Sequence, residues 1–159
     1  MDHPELTNRY ERLRARGFSL LPVPEAIGNF QHYAQEGELI FLSGQGPIDE
    51  HGQLLTGKVG DVVTAEEAYH HAQRVGLNLL SVMHEALGDL ARVRRVIRVF
   101  GMVNAVPDFS RHSYVINGCS DLFVDILGEA GRHSRAAIGV GSLPNNISVE
   151  IEAVIAVEK

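Results

Sequence analysis

A single cysteine, Cys119, stands among 159 residues, which excludes an internal disulfide and any multi-cysteine metal cluster. Lysine is nearly as scarce: Lys58 and Lys159 are the two present, and the remaining basic residues are arginines. Acidic side chains number 20 against 14 basic ones, for a formal net charge of −6. That balance argues against a nucleic-acid partner, which needs Lys and Arg clustered on one face. No apolar run approaches the length of a membrane span, so no membrane association is expected. The start, Met1-Asp2-His3-Pro4-Glu5, lacks the basic region and apolar run of a signal peptide. Repeats and low-complexity tracts are also missing. What is present, 45% hydrophobic and 21% charged residues, suits one folded domain in the reducing cytoplasm.

Residues 1–17 read as an accessory helix ahead of a single domain at 18–159. Asp2 caps it with Glu5 three residues on, and Leu6, Tyr10 and Leu13 share one face before Gly17 ends it. Arg9, Arg12, Arg14 and Arg16 are expected on a solvated outer face. Residues 18–23 suggest a short strand ended by Pro22 and Pro24. Residues 29–35 and 38–43 flank a hairpin turn at Glu36-Gly37. Ser43-Gly44-Gln45-Gly46-Pro47-Ile48-Asp49 predicts irregular backbone but not a phosphate loop, since the Gly-Lys-Ser/Thr ending is missing. Residues 64–87 carry the clearest pattern. Thr64 and Glu67 form a capping box, Ala68, Ala72, Val75, Leu79, Val82 and Ala86 form a stripe, and Gly88 closes the helix. A strand follows at 92–103. A second helix is expected from a cap at Asp108 to Gly128, weakened or broken at Gly118, with strands at 135–141 and 147–157. The order predicts an α+β domain with two helices on one face of a mixed sheet.

Along the last strand, Ile147, Val149, Ile151, Ala153, Ile155 and Val157 alternate toward the helices. Ser148, Glu150, Glu152, Val154 and Ala156 point away. In the strand before it, Ala136, Ile138 and Val140 share the helix face, which puts Arg135, Ala137, Gly139 and Gly141 on the opposite one. Small residues among three charges there predict coverage by another subunit or a ligand.

Five segments carry a family resemblance: Ile27-Gly28-Asn29-Phe30; residues 39–49; residues 93–103 with Pro107-Asp108-Phe109; Ser134-Arg135 with Ser142-Leu143-Pro144; and Val149-Glu150-Ile151-Glu152-Ala153. Together they resemble the Rid family of reactive intermediate deaminases, also called YjgF-like proteins, over roughly residues 26–157. The resemblance implies a chorismate-mutase-like α+β fold whose last strand inserts between earlier ones. It also implies a homotrimer with a central barrel of sheets and clefts between subunits. Arg135 falls on the family's carboxylate-binding arginine, and Glu150 on the glutamate that handles water. Ser43 and Gly44 fall on a pair lining the cleft. Asn117 falls near a helix asparagine if four extra residues are allowed after Phe109. Phe30 stands where a tyrosine is usual, Ala137 where a cysteine is common, and His133-Ser134-Arg135 replaces Pro-Ala-Arg.

The implied chemistry is hydrolysis of a small 2-imino acid to an oxo acid and ammonia, with no metal or organic cofactor. A planar guanidinium holds a carboxylate through two parallel hydrogen bonds. A carboxylate orients water and takes its proton. From the residues alone, a structural ion pair between Arg135 and Glu150 of neighbouring subunits is the favoured reading over a ligand site. A non-catalytic module that binds a small carboxylate is the alternative function, and the acidic charge counts against an endoribonuclease. His70 and His71 are neighbours and no His-x-x-x-His occurs, so helical zinc binding is not expected. His112 and His133 border the cleft elements. Ser43 reads as a hydrogen-bonding wall, since Gly-x-Ser-x-Gly is missing, and Cys119 reads as buried.

Overall fold

The computed structural model describes residues 8–158. In chain order they form α1 (Arg9–Ala15), β1 (Tyr33–Glu36), β2 (Leu39–Gln45), α2 (Ala65–Leu87), β3 (Val93–Asn104), α3 (His112–Leu127), β4 (Ser134–Val140) and β5 (Val149–Val157). The strands make one mixed sheet in the order β1-β2-β5-β3-β4. β3 and β4 are parallel, with α3 as the crossover, and the other pairs are antiparallel. β5 lies between β2 and β3, as the resemblance implied, rather than forming a hairpin with β4.

Local chemistry explains the elements that the sequence predicted. Thr64 and Glu67 exchange both capping-box bonds at the start of α2, and Gly88 closes it at φ 76°. The β1–β2 hairpin turns at Gly37 (φ 62°) and Glu38, one residue later than the predicted Glu36-Gly37, because Glu36 still pairs with Leu39. The β5 alternation holds from Val149 onward, with Val149, Ile151, Ala153, Ile155 and Val157 buried beneath the helices. Ser148 departs from it. Its hydroxyl lies 2.7 Å from His71 Nδ1 on α2, so it faces the helices rather than the open side.

Other expectations are corrected. α1 is capped by Asn8, whose side chain accepts from the N–H groups of Tyr10 and Glu11; Asp2, Glu5 and Leu6 lie outside the described residues. Its arginines are fasteners rather than a solvated face. Arg9 donates to the carbonyls of Leu90 and Val93, Arg12 to that of Ile126, and Arg16 pairs with Asp125, which leaves Arg14 exposed. Residues 18–23 form no strand; Phe18, Leu20 and Val23 instead lean on the core. α3 begins at His112, with Arg111 at its N-cap position and no side-chain cap, so Asp108 does not start it.

Gly118 marks a close crossing, not a break. α3 runs through it unbroken, and a Cβ at 118 would sit 1.9 Å from the Tyr69 carbonyl oxygen of α2. Only a residue without a side chain lets the two helices meet there. We predict that Gly118→Ala forces them apart and destabilises the fold by at least about 1–3 kcal/mol in denaturant unfolding, the usual range for overpacking. Gly141→Ala meets open space and serves as the control. Equal stabilities would disprove the close-crossing account.

Candidate functional site

On the face of the sheet away from the helices, β2 carries a bulge. Leu42 pairs with Ala153 and Gln45 with Ile151, so Ser43 and Gly44 together oppose Glu152. The bulge makes room for Glu150. A Cβ on Gly44 would lie 2.9 Å from Glu150 Oε2, so the carboxylate rests on bare backbone. Ser43 Oγ donates to the Gln31 carbonyl at 2.6 Å, which anchors the segment bearing Phe30. Beside it, Gln45 Nε2 lies 3.0 Å from His32 Nδ1, and His32 Nε2 lies 2.5 Å from the Pro24 carbonyl. Phe30, Ser43, Gly44 and Glu150 thus line one groove of about 470 Å³, with Ile27 and Leu54 as apolar wall. Burial, and then the charge of Glu152, raise the Glu150 carboxyl above its ordinary range.

Arg135 is elsewhere. Its Nη1 donates to Ser120 Oγ and its Nη2 to the Ser113 carbonyl, both at 2.9 Å and both on α3. The side chain therefore lies on the helix face of the sheet, against the sequence expectation. Gly139 agrees, since a Cβ there would meet His112 of α3 at 2.5 Å. Ala137 is packed toward the core, and Ile138 is the exposed residue. Asn117 falls between Ser113 and Ser120 at helical spacing, on the same face of α3. Ser120 gives Arg135 its hydroxyl, but Ser113 gives a backbone carbonyl, which no side-chain pattern reveals.

The predicted residues thus divide into two groups within one chain. Phe30, Ser43, Gly44 and Glu150 line the open-face groove, and Arg135, Ala137 and Asn117 gather beside α3. No ion pair joins Arg135 to an acid, or Glu150 or Glu152 to a base, among the described residues. Within one chain, Arg135 and Glu150 are therefore not paired. Among the same residues, no three His, Cys, Asp or Glu side chains are grouped to hold a metal ion, and no helix is long and apolar enough to cross a membrane. Cys119 is fully buried, and burial pushes its thiol pKa up.

The profile described as "YjgF/chorismate mutase-like, putative endoribonuclease" matches residues 10–154. The chain belongs to the YjgF family. Protein TCP17 of Trypanosoma cruzi is 38% identical over 144 residues, 90% of each chain. A 2-iminobutanoate/2-iminopropanoate deaminase of Dermatophagoides farinae is 25% identical over 139 residues, 85% of this chain and 91% of its own. The crystal structure of Atu1372 of Agrobacterium tumefaciens, a protein of unknown function, superposes with a TM-score of 0.88 at 40% identity over 94% of each chain. The YjgF match takes in most of α1 as well, wider at that end than the resemblance read from residue 26 onward.

This YjgF-family groove yields a titration prediction. Glu150 should show a carboxyl NMR midpoint above the ordinary 4.5, because burial and Glu152 both oppose its ionisation. Glu152→Gln removes the like charge and should move that midpoint down. A midpoint unmoved by the substitution would mean that Glu152 exerts no such influence.

Proposed function

We propose that this YjgF-family chain is a deaminase of reactive 2-imino acids, acting at clefts between the subunits of a homotrimer. The observation that carries this reading is the division just described. A guanidinium with no acidic partner lies on one side of the chain, and a pair of carboxylates with no basic partner lies on the other, so a second copy is needed to bring them together. The open face supports association, because Phe41 is 50% and Ile138 41% exposed on it. The deaminase among the relatives supports the reaction class.

Arg135 is preset for a carboxylate. Two of its five N–H groups are held by α3, which leaves three to receive a substrate's carboxylate oxygens. Across the cleft, Glu150 orients a water against the C=N carbon and accepts its proton. Glu150 returns that proton to the nitrogen, and the carbinolamine then transfers its hydroxyl proton by way of the same carboxylate to the amine as the C–N bond breaks, giving the oxo acid and ammonia. Glu150 must be ionised to accept that proton, so the pH must lie above its midpoint. Activity should therefore fall as pH drops through the Glu150 midpoint. No metal or organic cofactor enters these steps, and the site is proposed to take a small carboxylate-bearing molecule rather than a nucleic acid.

A second reading, a carboxylate-binding module without turnover, is favoured by Phe30 and Ala137. Phe30 is 47% exposed in the groove but brings no hydroxyl, and Ala137 brings no thiol.

Light scattering should give three times the 17.4 kDa chain mass. In a coupled assay that generates 2-iminobutanoate with an amino-acid oxidase, Glu150→Gln should lower kcat by about 10²–10⁴ while carboxylate binding survives. Arg135→Lys should lose most of the binding, since an ammonium has no planar fork. If Glu150→Gln only shifts affinity and the wild type does not accelerate imine loss, the module reading replaces the deaminase. A monomer would remove the composite site altogether.

A further inference from the structure

The hydrogen bonds that hold Arg135 continue past Ser120. His133 Nε2 lies 2.9 Å from Ser120 Oγ, and His133 Nδ1 lies 2.7 Å from the Gly131 carbonyl oxygen. A carbonyl can only accept, so Nδ1 carries the proton and Nε2 of the neutral ring accepts. Ser120 O–H then donates to His133, which leaves the Oγ lone pairs for Arg135 Nη1. One backbone carbonyl thereby sets the direction of the whole chain: Arg135 to Ser120, Ser120 to His133, His133 to Gly131.

The ring is held in this orientation. It stands edge-on to Phe123, with centroids 6.0 Å apart at 82°. A ring flip would put carbon atoms at both contacts. The neutral form also fits the surroundings. Burial comes first in lowering the His133 pKa, Arg135 adds to it, and the Gly131 bond opposes both. The acids on the adjoining elements are engaged elsewhere: Asp121 accepts from Tyr69, Asp125 pairs with Arg16, and Glu129 with Arg132.

We propose that His133 is a positioning residue for the carboxylate clamp, acting through Ser120 to fix the plane of the Arg135 guanidinium. It touches no reacting atom, so it governs the affinity for a substrate carboxylate and not the chemical step. This rests on the deaminase reading for its substrate; the ordering of Arg135 itself does not.

Four variants test it. His133→Phe keeps a ring against Phe123 and removes the acceptor. His133→Gln places an oxygen near the position of Nε2. Ser120→Ala removes the link, and the fourth variant combines Ser120→Ala with His133→Phe. With 2-iminobutanoate, His133→Phe and Ser120→Ala should each raise KM about tenfold with kcat nearly unchanged, the scale of one hydrogen bond to a charged group. His133→Gln should approach the wild type. The double variant should be no worse than Ser120→Ala alone, because the two residues act in series.

Side-chain NMR of Arg135 supplies a readout independent of ligand. Separate Nη–H signals should persist in the wild type and His133→Gln and merge in the other variants. Additive single effects, a fall in kcat at constant KM, or Nη–H signals unchanged in His133→Phe would each overturn the proposal. If the wild type hydrolyses no imine, the deaminase reading fails while the NMR comparison still decides the role of His133. Should His133→Phe not fold, His133→Asn takes its place with the same expectation, since its shorter side chain does not reach Ser120.

Discussion

Helix α3 is pressed against α2 so closely that backbone meets backbone. The Tyr69 carbonyl oxygen occupies the space where any side chain at 118 would begin. This contact sets where α3 lies over β3 and β4, and so where Ser113 and Ser120 are offered to Arg135. Long flexible arginines on a surface lose much side-chain entropy when ordered. Here two acceptors on a rigid helix already hold the guanidinium, so less entropy remains to be lost when a ligand binds. The placement of the Arg135 guanidinium thus depends on a contact formed one helix away from it.

The elements legible in the sequence are those whose cause is local. A capping box spans four residues, a hairpin turn two, and β5 repeats its pattern over nine residues. The face of β4 was not legible, for a specific reason. Ala136, Ile138 and Val140 are more apolar than Arg135, Ala137 and Gly139, and hydrophobicity assigns the more apolar row to the core. This sheet is apolar on both faces, however, because Phe41, Phe100 and Val154 also line its open side. When both faces are apolar, alternation gives two rows but not their direction. The arginines of α1 escaped for a related reason. Their partners are carbonyls of Leu90, Val93 and Ile126, which no side-chain pattern reveals.

The candidate site residues were legible mainly through resemblance, and the structure redistributes them. Glu150 depends on the absence of a side chain at Gly44, a contact between two strands that sequence spacing cannot show. His133 drew notice as a departure from the family pattern and as a neighbour of the cleft elements, and its bonds to Ser120 and Gly131 give it a physical role.

The two groups also differ in what they can offer a substrate. In the groove, Ser43 already donates to Gln31, Gln45 Nε2 is engaged by His32, and Glu150 when ionised is an acceptor. Side-chain donors there are largely spent, while Arg135 keeps unspent N–H groups. A substrate carboxylate accepts and does not donate, and it is repelled by Glu150 and Glu152. An imine nitrogen gains protons as it becomes ammonia. On the deaminase reading, that asymmetry alone orients the molecule, with its carboxylate toward Arg135 of one copy and its reacting carbon toward Glu150 of the next. Neither group needs to recognise the whole substrate, because the field across the cleft permits one direction of entry.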